Sequence, residues 1–549
     1  MSVYKITGLI SLLALSAALS SSAQTNTDGY SSFSTASYSN YVKAIASNNL
    51  MGRMPFTAGE TKTMQYLEQQ FKALGLQPGN KGSYFQEVPM MAVSCNPQNS
   101  MSISASDASY NLEGYKDYVL WTRRTEPSID LNNEEMVFAG FGITAPEYKH
   151  DDYAGLDVKG KIVVVLVNDP GFYNAQLFKG KTMTYYGRWT YKYDEAARHG
   201  AKGCLIIHNT APAAYNFSVV QNSWKTSKLY LDARGKETYK CAIEGWLTLP
   251  SAEKLLQTAG TNYETLLKSA LKSDFKAQTL GLKLSTSLAV TATYKKSHNV
   301  IAQITGSKKP DECIVYSAHW DHFGVGKPDA KGDTIYNGAV DNASGTAALL
   351  ELAKAFKKSK VKPLRSIVFL SVTAEEQGLW GSAYYAENPV FDKEKTVANI
   401  NMDMFYPYGK TKDIGLVGFR QSELEDYLRD AAKLQGRYIA PEADASKGMY
   451  FRSDHFNFAK IGIPALYTES GVDLVGKGKE IGLKMHNDYT TNTYHKPSDE
   501  FNATWDVSGT VQDLQLLYSV GHKLASSTTL WPKWKAGSEF KAVREQYKK

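Results

Sequence analysis

The segment NGAVDNASGTAALLELAKAF constrains this chain more than any other, because Asp341 stands in a turn of small residues that opens a helix. Upstream lies SAHWDHFG with His319, and downstream SVTAEEQGLWGS with the adjacent pair Glu375 and Glu376. Imidazole and carboxylates at the ends of apolar runs are the ligand chemistry of a hydrolytic metal centre. Two neighbouring carboxylates closing the run IVFLSVTA would repel each other beside a low-dielectric core unless a cation neutralised them.

The surrounding pattern predicts an α/β fold. HNVIAQITG, ECIVYSAHWDH, RSIVFLSVTAEEQG, TVANINMDM and IPALYTES read as strands and TAALLELAKAFKKS as a helix, giving a mostly parallel central sheet flanked by helices. Such sheets carry their sites at the carboxyl ends of the strands, so His319, Glu375, Glu376 and Asp403 are expected at one edge. Nearer the N-terminus, Met64, Leu67, Phe71 and Leu74 have helical spacing, with Thr57 and Glu60 as a capping box. Ser and Thr dominate up to Ser39, which reads as a flexible lead-in. From 134 to 283 short β-type runs such as KIVVVLV and KGCLIIHN alternate with turns and carry no ligand cluster. This region reads as a β-rich domain inserted between the parts 24–133 and 284–549 of a larger one.

A length of 549 residues calls for two or three domains. The 12% aromatic content argues for packed cores rather than disorder. The excess of 62 Lys+Arg over 55 Asp+Glu is small, and the basic end WPKWKAGSEFKAVREQYKK reads as a solvated helix face, so no nucleic-acid partner is indicated. Lys5, the run ITGLISLLALSAAL and the small residues SSSAQ form a secretory signal, with cleavage expected after Ala23 and a periplasmic or secreted product. Cys95, Cys204, Cys241 and Cys313 form no metal or redox motif and define no pairing.

The candidate metal ligands are His319, Asp341, Glu376, Asp403 and His495. Taken singly, a strand-end histidine can be a satisfied polar group, and Asp341 can merely cap its helix. Glu375, beside a ligand, is free to take a proton from water. Asp321 is placed to orient the His319 imidazole, and Asp499 to do so for His495 or simply to shape a surface turn.

The order AHWDHFG, GAVDNASG, TAEEQGLWGS, INMDM, RSDHFNF and TYHKPSDE resembles the zinc-dependent co-catalytic aminopeptidases, the family of glutamate carboxypeptidase and the transferrin receptor. The resemblance covers Tyr38 to Asn133 and Leu284 to Leu524, and the intervening FAGFGITAPEYKHDDYAGLDVKGKIVVVL looks like a protease-associated domain. It implies two zinc ions bridged by Asp341, one also held by His319 and Asp403, the other by Glu376 and His495. Glu375 would be the general base, Tyr450 a candidate transition-state stabiliser, and Ser453, Asp454 and His455 residues that order the site. The implied activity is release of N-terminal residues from peptides. A carboxypeptidase or dipeptidase on the same scaffold, a glutaminyl cyclase and a non-catalytic receptor module are the alternatives. Phe405, Tyr406, Tyr408 and Phe451 could line a substrate pocket or belong to the core, and Arg452 could meet a substrate carboxylate.

Overall fold

The computed structural model describes residues 29–547 apart from 98, 99, 107 and 236–238. The signal segment and its expected cleavage after Ala23 lie outside the described residues.

The strand Lys309–His319 runs parallel between Arg365–Val372 and Thr396–Met402, and Ala465–Ser470 adds in parallel beyond the latter. Asp413–Val417 then pairs antiparallel and Tyr438–Pro441 parallel to it, while the end of the long strand Gln278–Ile304 closes the other side antiparallel to Arg365–Val372. The fold is thus α/β with a mostly parallel sheet. These strands are continuous apolar runs because both faces are covered. Ile314, Tyr316, Ile367 and Phe369 face the helices Ser344–Lys358 and Ser508–Ala525, and Cys313, Val315, Val368 and Leu370 pack on Tyr385 and Phe458 on the other side.

The helix Ser344–Lys358 is buried on nearly all sides of its first three turns. Its Ala-rich surface lets it sit close to the sheet, and Gly345 is required at its start. A Cβ there would lie 2.3 Å from Asn342 Oδ1 and 2.5 Å from the Met402 carbonyl oxygen. That approach brings the Asp341 turn against the strand end that carries Asp403.

Thr35–Ile45 is a helix, where the Ser- and Thr-rich sequence suggests a flexible lead-in. Tyr38, Val42 and Ile45 are buried in the main core, and the Tyr38 hydroxyl donates to the Ser344 carbonyl at 3.1 Å. The helix Ala58–Ala73 is capped by Thr57 as expected, but Glu60 reaches past the cap to the Phe56 N–H and accepts from Ser297 Oγ at 2.7 Å.

A second part of the sheet, joined to the first through Gln278–Ile304, holds Ile162–Leu166 in parallel between Ser128–Phe138 and Gly203–His208, with Ile243–Thr248 next in parallel. Its core draws on residues from Met91 to Val290. The boundaries 134 and 283 fall inside the strands Ser128–Phe138 and Gln278–Ile304, the second of which runs on to pair with Arg365–Val372. All four cysteines are free thiols. The basic tail is not a simple solvated face: Trp534 and Phe540 are buried, and the Trp534 indole donates to the Gly462 carbonyl at 2.9 Å. Among the described residues no helix is long and apolar enough to cross a membrane.

Gly345→Ala should destabilise the protein by about 1–3 kcal/mol through overpacking against fixed backbone. A thermal unfolding midpoint equal to that of the parent would contradict the close approach.

Candidate metal centre

Five elements converge at the carboxyl edge of the first sheet. His319 ends the strand Lys309–His319, Asp403 follows Thr396–Met402, and Glu375 and Glu376 follow Arg365–Val372. Asp341 comes from the turn before Ser344–Lys358, and His495 from the loop after the helix Lys479–Asn492. The five sequence-predicted ligands are therefore brought together.

The Asp341 carboxylate faces two ways. Its Oδ1 is 3.3 Å from His319 Nε2, which is also 3.2 Å from Asp403 Oδ1. Its Oδ2 is 3.1 Å from His495 Nε2, which is also 3.2 Å from Glu376 Oε2. A single imidazole N–H shared between two carboxylate oxygens gives each only a weak, three-centre hydrogen bond. Zinc bonds of about 2.0–2.2 Å at tetrahedral angles place neighbouring donors roughly 3.3–3.6 Å apart, near these separations. Donor chemistry and spacing thus fit a metal ion on each side of Asp341. Among the described residues the groups able to hold a metal are His319 with Asp341 and Asp403, and His322 with Asp341 and Glu376.

Glu375 belongs to neither group, and its Oε2 lies 3.8 Å from His319 Nε2. Burial pushes its carboxyl well above the usual range, His319 opposes this, and Asp403 and Glu376 add to the rise. Burial and Asp341 also push Glu376 up, but His495 and His322 outweigh them and bring it down to about 2. Adjacent residues are thereby driven in opposite directions, the pattern expected of groups with different duties. Burial lowers the His319 imidazole, yet Glu375 and Asp403 reverse this and hold it well above its ordinary value.

Supporting contacts extend outward. Ser453 donates to Asp403 Oδ2 at 2.7 Å and accepts from Asn401 Nδ2 at 2.7 Å. His319 Nδ1 lies 3.1 Å from the Asp321 carbonyl oxygen, so the backbone of Asp321 orients the ring while its carboxylate stands 3.7 Å away. That carboxylate instead accepts from the N–H groups of Glu375 at 3.0 Å and Glu376 at 3.4 Å. Asp499 does not turn toward His495: it is buried and accepts from the N–H groups of Val340 at 3.0 Å and Asp341 at 3.1 Å.

Other positions fall elsewhere. Tyr450 packs in an apolar cluster with Val417, Phe451, Phe456 and Phe540, and among the described residues its hydroxyl has no hydrogen-bond partner. Asp454 accepts from Ser382, and His455 lies buried between the rings of Tyr450 and Tyr467. Arg452 donates to the Lys447 carbonyl at 2.8 Å. Phe405 and Phe451 are core residues, whereas Tyr406 is half-buried and stacks on Tyr408.

Three contributors escape the motif reading. His322, the second histidine of AHWDHFG, contacts Glu376 Oε1 at 2.6 Å. Tyr494 stacks on His495 at 3.7 Å, and burial, with Asp341, Glu376, Glu375 and Asp403 adding to it, pushes its hydroxyl far up. Arg53, from the N-terminal part, is buried and donates to the carbonyls of Trp320 at 2.8 Å, Asn337 at 2.5 Å and Gly338 at 3.0 Å, binding two ligand-bearing loops together. The adjacency of Tyr494 to a ligand was a usable signal; nothing local marks Arg53.

Residues 299–519 match the family model described as Peptidase family M28. That stretch carries all five predicted ligands. The mouse aminopeptidase NAALADL1 is 38% identical over 115 residues, 20% of this chain and 14% of that protein. A glutamate carboxypeptidase 2 homolog of Caenorhabditis elegans is 37% identical over 317 residues, 49% of this chain and 37% of that one. The matches therefore span well under half of these relatives. Among solved structures, the aminopeptidase from Aneurinibacillus sp. strain AM-1 aligns with 90% of this chain and 94% of its own at 19% identity and a TM-score of 0.49.

In the metal-free protein burial pushes Asp321 from 3.8 up to about 8. A raised carboxyl makes the folded state bind the extra proton, so its contribution to stability is full below the unfolded value and disappears as pH rises through the folded one. Asp321→Asn should therefore lose less stability than the parent between pH 4 and 8 in the presence of a chelator. Parallel denaturation profiles of the two proteins would contradict this.

Proposed function

We propose that the chain is a di-zinc aminopeptidase that removes single residues from the free N-termini of peptides. The observation that carries this reading is the Asp341 carboxylate, which offers one oxygen to the His319 and Asp403 set and the other to the His495 and Glu376 set. When bound, two zinc ions would polarise the scissile carbonyl and lower the pKa of the attacking water.

The residues of the chain supply the remaining steps. The Glu375 carboxylate takes a proton from the attacking water and delivers it to the leaving amine. Its place outside both ligand groups, 3.8 Å from His319 Nε2, leaves this carboxylate free to accept and return a proton. The Tyr494 hydroxyl is available to donate to the oxygen that gains negative charge. Carboxylates beyond those needed as ligands, Glu375 among them, favour a cationic α-amine in a partly desolvated cleft. An N-acetyl cap removes that charge and adds bulk.

Export after cleavage behind Ala23 and a protease-associated identity for 134–283, acting as a non-catalytic cover, belong to the same proposal. None of the residues in the two candidate metal groups lies in 134–283.

Metal analysis of the purified enzyme should give two zinc ions per chain, and chelation should abolish activity. Glu375→Gln should keep the metal but lower kcat by ~10²-fold or more, and Tyr494→Phe should lower it by about 10²–10³-fold. Free peptides should be cleaved and their acetylated forms spared. Equal rates on both, or release from the C-terminal end, would reject the aminopeptidase reading.

A further inference from the structure

The contact between His322 and Glu376 concerns how Glu376 can be used, as the Ser453 hydroxyl on Oδ2 does for Asp403. His322 is fully buried, and its Nδ1 is 2.6 Å from Glu376 Oε1. The other oxygen of the same carboxylate, Oε2, is the one 3.2 Å from His495 Nε2. Within one side chain, the two oxygens thus have different partners.

The ring is fixed from several sides. A Cβ on Gly338 would lie 2.6 Å from ring carbons of His322, so the loop passes directly over the imidazole. Phe323 meets it edge-on at 4.9 Å, and the His322 N–H donates to the Arg53 carbonyl at 3.4 Å. Among the described residues Nε2 is buried without a hydrogen-bond partner. A proton on Nε2 would leave a buried donor unpaired and turn the Nδ1 lone pair toward a carboxylate. The favoured tautomer therefore carries its proton on Nδ1 and donates it to Glu376.

We propose that His322 is a positioning residue that holds Glu376 Oε1 by hydrogen bond and so presents only Oε2 to the metal shared with His495 and Asp341. This rests on the two-metal reading above. A carboxylate free to rotate could chelate through both oxygens and fill a coordination position that a substrate carbonyl or water needs. Direct ligation by His322 Nδ1 fits less well. Donors on one tetrahedral zinc stand roughly 3.3–3.6 Å apart, whereas this pair is at the 2.6 Å of a charge-assisted hydrogen bond.

The test is metal binding, not turnover. The full-length protein, His322→Asn and His322→Leu are stripped and titrated with Zn²⁺ against a chromophoric chelator, and with Co²⁺ followed by visible absorption. Asn can place its amide N–H where the imidazole Nδ1–H lies. The parent should bind two equivalents, His322→Leu should lose about 10–100-fold in affinity at one of them only, and His322→Asn should stay close to the parent. His322→Gln, whose amide sits one carbon farther out, serves as the disrupting variant if His322→Leu fails a circular-dichroism check. Unchanged binding of both equivalents by the disrupting variant would overturn the proposal. So would an Asn variant as weak as the disrupting one with one cobalt spectrum altered, because that identifies His322 as a ligand. A parent protein that never takes up two equivalents would instead remove the two-metal reading itself.

Discussion

One carboxylate, Asp341, fixes the geometry on which the rest of the site depends. It must stand between His319 and His495, which are 176 positions apart in the chain. Its own turn cannot achieve this alone. Asp499 holds the Val340 and Asp341 N–H groups from one side, Arg53 holds the Asn337 and Gly338 carbonyls from another, and Gly345 lets the turn settle against Met402. Segments from both ends of the chain thus meet around one turn, and each supplies a partner for backbone groups that burial would otherwise leave unsatisfied.

The same crowding creates the chemistry. Asp341, Glu375, Glu376, Asp403 and Asp454 approach one another in a buried space where repulsion between carboxylates is strong. Among the described residues Arg53 donates to backbone carbonyls, of Trp320, Ile45, Asn337 and Gly338, rather than to these carboxylates. Negative charge of this kind is stable only when cations occupy the space or protons neutralise part of it. Bound metal would neutralise the ligand carboxylates, while Glu375, outside both ligand groups, would remain the group able to exchange a proton.

Much of this was legible in the sequence. Strand-end placement of His319, Glu375, Glu376 and Asp403 follows from apolar runs that stop at a polar residue, and the parallel sheet follows from the alternation of such runs with helices. Two kinds of feature were not legible. The helix Thr35–Ile45 carries Tyr38, Val42 and Ile45 at helical spacing, but Ser, Thr and Asn are weak helix formers, and its stability comes from packing on Ser344–Lys358. Arg53, Asp321 and Asp499 act on backbone groups, and a hydrogen bond to a distant carbonyl or N–H leaves no residue pattern. Tyr450 illustrates the converse: the resemblance makes it a candidate transition-state stabiliser, but its ring packs in an apolar cluster.

Backbone conformation beside the ligands explains why so much scaffolding is needed. Ala374, Met404 and His495 have φ values of 53°, 60° and 57°, in the left-handed region that side-chain-bearing residues avoid. Ala374 precedes Glu375, Met404 follows Asp403, and His495 is itself a candidate ligand. Each such residue costs of order 1–3 kcal/mol and persists only where its surroundings over-determine it. At these positions a regular strand or helix would direct the next side chain along the sheet or back into the core. A left-handed Ala374 turns the chain sharply enough to aim Glu375 toward His319, and a left-handed Met404 breaks the strand direction directly after Asp403. The Asp321 carboxylate on the Glu375 and Glu376 N–H groups and the Ser453 hydroxyl on Asp403 are the contacts that hold those turns. Local strain and the remote hydrogen bonds that oppose it are therefore two sides of one arrangement, in which the stability of the surrounding sheet is what keeps like charges in place.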